Sequence, residues 1–96
     1  MLISGTYRFR PGADQRTSLQ RFQAWKPPSG FTFQGHWHTA DGMGGLFIAE
    51  ADSPAAALEA TATFADLLEF HVVPVVDIME AIPINARVFD WIDSVS

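Results

Sequence analysis

The chain has no cysteine among its 96 residues. That excludes disulfides, thiolate nucleophiles and Cys-ligated metals, and it fits a reducing cytoplasm. Positive charge is also scarce: six Lys and Arg stand against eleven Asp and Glu, giving a formal net charge of −5 and a pI near 4.8. Nucleic acid, whose phosphates need a basic face, is not an expected partner, and neither is a membrane surface reached through a basic helix. No apolar run approaches the ~20 residues that cross a bilayer, and residues 1–8 show no basic segment ahead of an apolar one, so no signal peptide is expected. A cytoplasmic location is the resulting expectation. There is no Gly-x-Ser-x-Gly elbow to present a serine nucleophile. Gly42-Met43-Gly44-Gly45 joins two strands instead of opening a helix, and it is too short to cradle a phosphate.

What is present is apolar and aromatic. Hydrophobic residues make up 48% of the chain and charged ones 18%, a balance that supports a single globular domain. A domain this small buries only about 65% of its unfolded surface, so area gained by self-association would count. Eight Phe and three Trp exceed what a minimal core needs and point to a pocket or an interface.

Residues 2–10 alternate with period two, Ile3, Gly5, Tyr7 and Phe9 against Ser4, Thr6, Arg8 and Arg10, which predicts a strand. After the Pro11-Gly12 break, Asp14 caps a helix carrying Leu19, Phe22 and Trp25 at every third position, and Lys26-Pro27-Pro28 stops it. Phe22 and Trp25 are expected in the core rather than in a ligand box. Residues 31–40 read as a second strand, with Phe31, Phe33, Gly35 and Trp37 on one face and Thr32, Gln34, His36 and His38 on the other. Asp41-Gly42-Met43-Gly44-Gly45 signals a hairpin back into a third strand over 46–51. Ser53 and Pro54 open a second helix whose polar stripe runs Glu59, Thr63, Asp66, Glu69. A Val-rich strand over 71–77 follows, held at a sheet edge by Pro74.

Strand, helix, hairpin, helix, strand is the split βαβ order. The expected fold is therefore α+β: a ferredoxin-like βαββαβ domain over residues 1–80, with a four-stranded antiparallel sheet and both helices on one face. Residues 81–96 form a C-terminal amphipathic extension with Ile84, Val88, Trp91 or Ile92, and Val95 at helical spacing. The uncovered sheet face of such a domain must be polar or be closed by a second copy, which makes a homodimer the expected assembly.

Chemistry centres on Gly35-His36-Trp37-His38. Histidines at i and i+2 of a strand project from one face, roughly 7 Å apart along it. They could flank a substrate as acid and base, or grip a metal ion with a third ligand from Asp41, Glu50 or His71. On a half-exposed strand such a pair is ordinarily a polar outer face or an interface pair, and a pocket role for one of them ranks ahead of metal binding. Glu50 joins the histidines or faces away according to the hairpin register; a two-residue Asp41-Gly42 turn pairs His38 with Gly45 and turns Glu50 away.

Taken together, the residue types support a domain that binds, and in an enzymatic variant transforms, a small partly apolar molecule between sheet and helices without a cofactor. The ligand contacts would be Thr6, Arg8, Gln34, His36 and His38, with His38 and His36 the catalytic candidates. Alternatives are a non-catalytic homo-oligomerisation or interaction module and, behind it, a metal or haem held by His36 and His38.

Three stretches carry a family resemblance: Thr6-Tyr7-Arg8 with Pro11-Gly12-Ala13, Gly35 through Gly45 with Glu50-Ala51-Asp52, and Asp66-Leu67-Leu68-Glu69-Phe70 with Val73-Pro74-Val75. Together, over roughly residues 1–80, they resemble an uncharacterised bacterial domain-of-unknown-function family. That family looks like a branch of the dimeric α+β barrels, a group that includes small monooxygenases acting on polyketide-like substrates, isomerases and haem-handling proteins. The resemblance implies a dimer with pockets between sheet and helices and implies no particular activity. His36 stands where the family pattern usually has Arg, which weakens an anion-binding role there.

Overall fold

A computed structural model describes residues 1–96. The elements run β1 (Leu2–Phe9), α1 (Gln15–Ala24), β2 (Phe31–His38), β3 (Gly44–Ala51), α2 (Pro54–Ala62), β4 (Leu68–Pro74) and α3 (Ile78–Val95). The strands form one antiparallel sheet in the order β2-β3-β1-β4, the ferredoxin-like arrangement expected from the sequence. β4 is an edge strand, and Pro74, which has no amide to donate, is its last residue. Ile3, Gly5, Tyr7 and Phe9 point to the helices, and Thr6 and Arg8 to the opposite face, where they are exposed.

Asp14 caps α1 by accepting from the Arg16 amide at 3.0 Å and the Thr17 hydroxyl at 2.9 Å. The helix ends as Trp25 turns extended ahead of Lys26-Pro27-Pro28. Ser53 caps α2 and Pro54 occupies its first turn. α2 stops at Ala62, partway along the Glu59–Glu69 stripe, and β4 begins three residues earlier than expected. Tight-turn bonds from the Phe64, Ala65 and Leu67 amides replace the helix, and pairing with β1 fixes the strand by setting Ile3 opposite Pro74 and Tyr7 opposite Phe70.

One feature of β2 overturns the expected faces. The register moves from Phe33 opposite Ala49 to Gly35 opposite Ile48, so Gln34 is the extra residue of a bulge. A single extra residue inverts every later side chain. Phe31 and Phe33 face the helices, and past the bulge it is His36 and His38 that join them, while Trp37, expected on the same face as the two phenylalanines, turns to the uncovered face. His38 pairs with Gly45, and Glu50 therefore points away from the histidines.

The core is compact: Ile3, Phe31, Phe47, Ala49, Ala51, Ala57 and Ala60 form one buried cluster. Alanines let α2 lie close to the sheet. Phe47 lies over Gly5, where a Cβ would overlap its ring. α1 is different, since Ser18 is its one buried residue and it stands off the sheet on the large side chains of Phe22 and Trp25.

α3 departs from the rest. None of its 18 residues is buried, and the chain's radius of gyration is 17.2 Å. A compact chain of this length would have about 12.5 Å. Asp77 caps the helix by accepting from the Met79 amide, and Ile82, Val88, Phe89, Trp91, Ile92 and Val95 stand exposed along it. No helix is long and apolar enough to cross a membrane.

Candidate functional site

Because α2 hugs the sheet and α1 stands off it, a partly open cavity of about 240 Å³ lies between them. Tyr7 and Phe9 of β1 form part of its floor, with Phe31, Phe33, His36 and His38 of β2 and Phe47 of β3. Ser18, Leu19 and Phe22 of α1 roof it together with Trp25 just past the helix end, and Ala60, Thr61, Phe64, Leu68 and Phe70 close the remaining side. No Asp, Glu, Lys or Arg reaches it.

At its polar centre the Tyr7 hydroxyl lies 2.6 Å from Nε2 of His36. The two residues come from β1 and β2, which are separated by β3, so they meet across Phe47 and Gly45 rather than as direct cross-strand neighbours. Gly45 makes the meeting geometrically feasible, because any Cβ there would overlap the Tyr7 ring. Aromatic rings hold the imidazole. Phe33 stacks on it at 4.9 Å and 20°, while Phe22 and Phe47 meet it edge-on at 5.0 Å and 6.0 Å.

Burial drives His36 toward its neutral form, lowering its pKa below the ordinary histidine value, and the like charge of neighbouring His38 adds to this. Burial also raises the Tyr7 phenol above its usual value. Both members of the pair are thus uncharged near neutrality. In the Nδ1–H tautomer of His36, the phenol donates to Nε2. A neutral imidazole in a partly dry site can take the phenol proton as the Tyr7 oxygen takes one from a bound molecule, and return it, which is the chemistry this arrangement offers.

The expected ligand set divides. His36 and His38 line the cavity, whereas Thr6, Arg8 and Gln34 do not. Thr6 sits in the outer row Trp37–Leu46–Thr6–His71, Arg8 follows on the same outer face near Asp41, and Gln34 is exposed on the bulge. The third metal ligands do not assemble either. Glu50 binds the N-terminal ammonium, His71 is on the outer face, and Asp41 accepts from Thr39 and the Met43 amide in the hairpin. No three His, Asp or Glu side chains come together as a metal site anywhere in the chain. Phe22 and Trp25, expected in the core, both line the cavity; Trp25 also packs against the buried cluster, whereas Phe22 is partly exposed.

Tyr7 is the residue that sequence reasoning passed over. Its signal was its place on the apolar side of β1, yet nothing in the spacing joined it to His36. Gly35 was the one hint of a bulge, since glycine inside a strand often marks one.

A charged clamp flanks the cavity. Arg21 of α1 donates to both carboxylate oxygens of Asp66, at 2.7 and 3.2 Å, and to the Thr63 carbonyl at 3.0 Å. The guanidinium holds the Asp66 carboxyl below its usual range. The clamp ties α1 to the segment between α2 and β4.

The family model described as a domain of unknown function, DUF3303, matches residues 1–89. The chain belongs to that family. The match spans all four strands, α1 and α2, and reaches well into α3. No curated protein and no solved structure matches the chain.

Proposed function

We propose that the domain binds a small, partly apolar molecule in the cavity between the sheet and α1, with the Tyr7–His36 pair meeting its polar group. The observation that carries this reading is a short hydrogen-bonded pair set inside an otherwise aromatic cavity that admits no charged side chain. Pockets of this type, mostly apolar with a few convergent polar groups, are the usual form of small-molecule sites. Proton transfer is the reaction the pair is equipped for: a ligand proton passes to the Tyr7 oxygen as the phenol proton passes to Nε2 of His36, with His38 beside it. No cofactor enters that scheme. A fragment library screened by ligand-observed NMR tests the reading: hits should shift resonances of Tyr7, Phe22 and His36. Hits confined to the outer sheet face, or none from a library rich in one- and two-ring compounds, would sink it.

A second reading concerns assembly, and α3 favours it. An isolated helix of 18 residues with β-branched positions is marginal in water unless its apolar stripe is covered. The outer sheet face carries exposed Trp37, Leu46 and Val73 and is covered by nothing in the same chain. We infer that a second copy covers it, with residues 81–96 of each chain reaching across as an arm, so that the working form is a homodimer. Sedimentation of the full chain and of a chain ending at Asp77 checks this. A dimer that becomes a folded monomer on truncation supports it, and a monomeric full chain at micromolar concentration removes it. The alternative of a metal ion held by protein side chains alone has no third ligand to draw on. The lack of cysteine supports a reducing compartment such as the cytoplasm as the place of action.

A further inference from the structure

We propose that the cavity selects neutral, planar aromatic molecules of one or two rings that carry a hydrogen-bond donor, a hydroxyl or a ring N–H, directed at the Tyr7 oxygen. This rests on the reading that the cavity is a small-molecule site, and it names the class of molecule.

Charge is decided by the walls. The titratable groups that face the cavity are Tyr7, His36 and His38, and no Lys or Arg lines it. The nearby guanidinium of Arg21 is already committed to Asp66 in a two-oxygen ion pair. A carboxylate that entered would surrender hydration and gain no cation in return. The net charge of −5 opposes anions further.

Shape is decided by the rings. Phe33 lies flat against His36, while Phe22 and Trp25 come in from α1 at steep angles to Phe33. Such edges and faces complement another flat ring, which gains offset-stacked and edge-to-face contacts that a branched aliphatic molecule does not. The volume of about 240 Å³ holds one ring or two fused ones, below the range of larger drug-like ligands.

The donor requirement follows from hydrogen-bond arithmetic. A tyrosine hydroxyl has one proton and two acceptor sites. The Tyr7 oxygen lies 2.6 Å from Nε2 of His36. A phenol is the better donor of the two, and a neutral imidazole nitrogen the better acceptor, so the phenol proton is spent on His36. What the Tyr7 oxygen has left is acceptor capacity. Its complement is a donor, and a ligand hydroxyl would extend the chain from ligand to Tyr7 to His36.

Four probes on the 96-residue chain separate these elements: naphthalene, 2-naphthol, 2-methoxynaphthalene and 2-naphthoate, each titrated at neutral pH by fluorescence or calorimetry. We expect 2-naphthol to bind roughly tenfold tighter than naphthalene or the methyl ether, the size of one good hydrogen bond, and 2-naphthoate to bind most weakly. In the double variant Tyr7→Phe with His36→Phe, which leaves no acceptor at either ring, the advantage of 2-naphthol over naphthalene should shrink to about twofold or less. The wild-type series stands on its own if that variant folds poorly. Equal binding of naphthalene, 2-naphthol and the methyl ether overturns the donor requirement, and tight binding of 2-naphthoate overturns the exclusion of anions; in both cases the cavity remains a small-molecule site. Binding of none of the four overturns the proposal and the cavity reading with it.

Discussion

Gly45 and Tyr7 are paired across β3 and β1, and the tyrosine ring occupies the space that a side chain at position 45 would fill. The same glycine is paired with His38 on its other side. A hairpin glycine that the sequence offers as turn chemistry is therefore also the floor on which the Tyr7–His36 pair rests. The expected effect of Gly45→Ala is displacement of the Tyr7 ring and loss of the 2.6 Å contact. Forcing extra atoms into a packed site costs about 1–3 kcal/mol. Urea denaturation reads that loss, and the proton shifts of the His36 ring read the broken contact. A Gly45→Ala protein with wild-type stability and an unmoved His36 would show that the ring has room to spare.

The Tyr7–His36 bond should reveal itself as coupling. Tyr7→Phe leaves a half-buried imidazole nitrogen without its partner, and His36→Phe does the same to the phenol. Removing one partner of a buried pair costs roughly 1–3 kcal/mol, whereas removing both is closer to neutral. The double variant should therefore be more stable than the sum of the singles implies, by about 1 kcal/mol. Strict additivity in the cycle would mean that the two groups lie near each other without exchanging a useful bond.

Most of the fold was legible, because it is written in local rules. Asp14, Ser53 and Pro54 cap helices as their chemistry dictates, Pro74 ends an edge strand, and period-two alternation set the faces of β1 correctly. The site was half legible. His36 and His38 were picked out by residue type, but their surroundings depend on one extra residue, Gln34, whose bulge carries both rings to the helix side. Strict alternation put them beside Thr6, Arg8 and Gln34 for the same reason. Tyr7, Phe22 and Trp25 could not be joined to the histidines because they meet His36, or the rings around it, only through the tertiary packing of three separate elements. α2 read too long because Glu59, Thr63, Asp66 and Glu69 recur at helical spacing, while the turn that ends the helix is imposed by where β4 must pair.

Acid should destabilise the domain through His36. Its folded pKa is lowered, chiefly by burial, from an unfolded value of about 6.5. Above that value both states are neutral and the group has no effect. Below it the unfolded chain binds a proton that the folded chain refuses, so stability falls as pH drops from about 6.5 through the folded pKa, then levels off for this group. His36→Phe should flatten the stability profile between pH 7 and 5. The depressed carboxyls of Asp41 and Asp66 act in a separate, lower window, losing their contribution as pH falls through their own folded values. Urea midpoints measured at half-unit steps, with NMR titration of the His36 ring, resolve the two. A profile unchanged by His36→Phe in the upper window would assign the acid sensitivity to other groups.

The Arg21–Asp66 clamp governs α1 more than it governs the fold. Both side chains are substantially solvated, so salt screens the pair and its share of global stability is small. α1, however, buries only Ser18, and besides the clamp it is fastened at that end by the ring contacts of Phe22 and Trp25 with Phe33 and Phe64. Asp66→Asn removes the charge and one of the two oxygens that Arg21 grips. The expected outcome is faster amide hydrogen exchange in α1, with the exchange of β1 and β3 and the urea midpoint nearly unchanged, since regions with few buried contacts open independently of the core. High salt should reproduce part of the effect in the wild type and none of it in the variant. Because α1 is also the roof of the cavity, any probe that binds there should dissociate faster from Asp66→Asn with little change in the sheet-side contacts. Exchange that quickens equally in α1 and the central strands would instead mean that the clamp supports the whole domain.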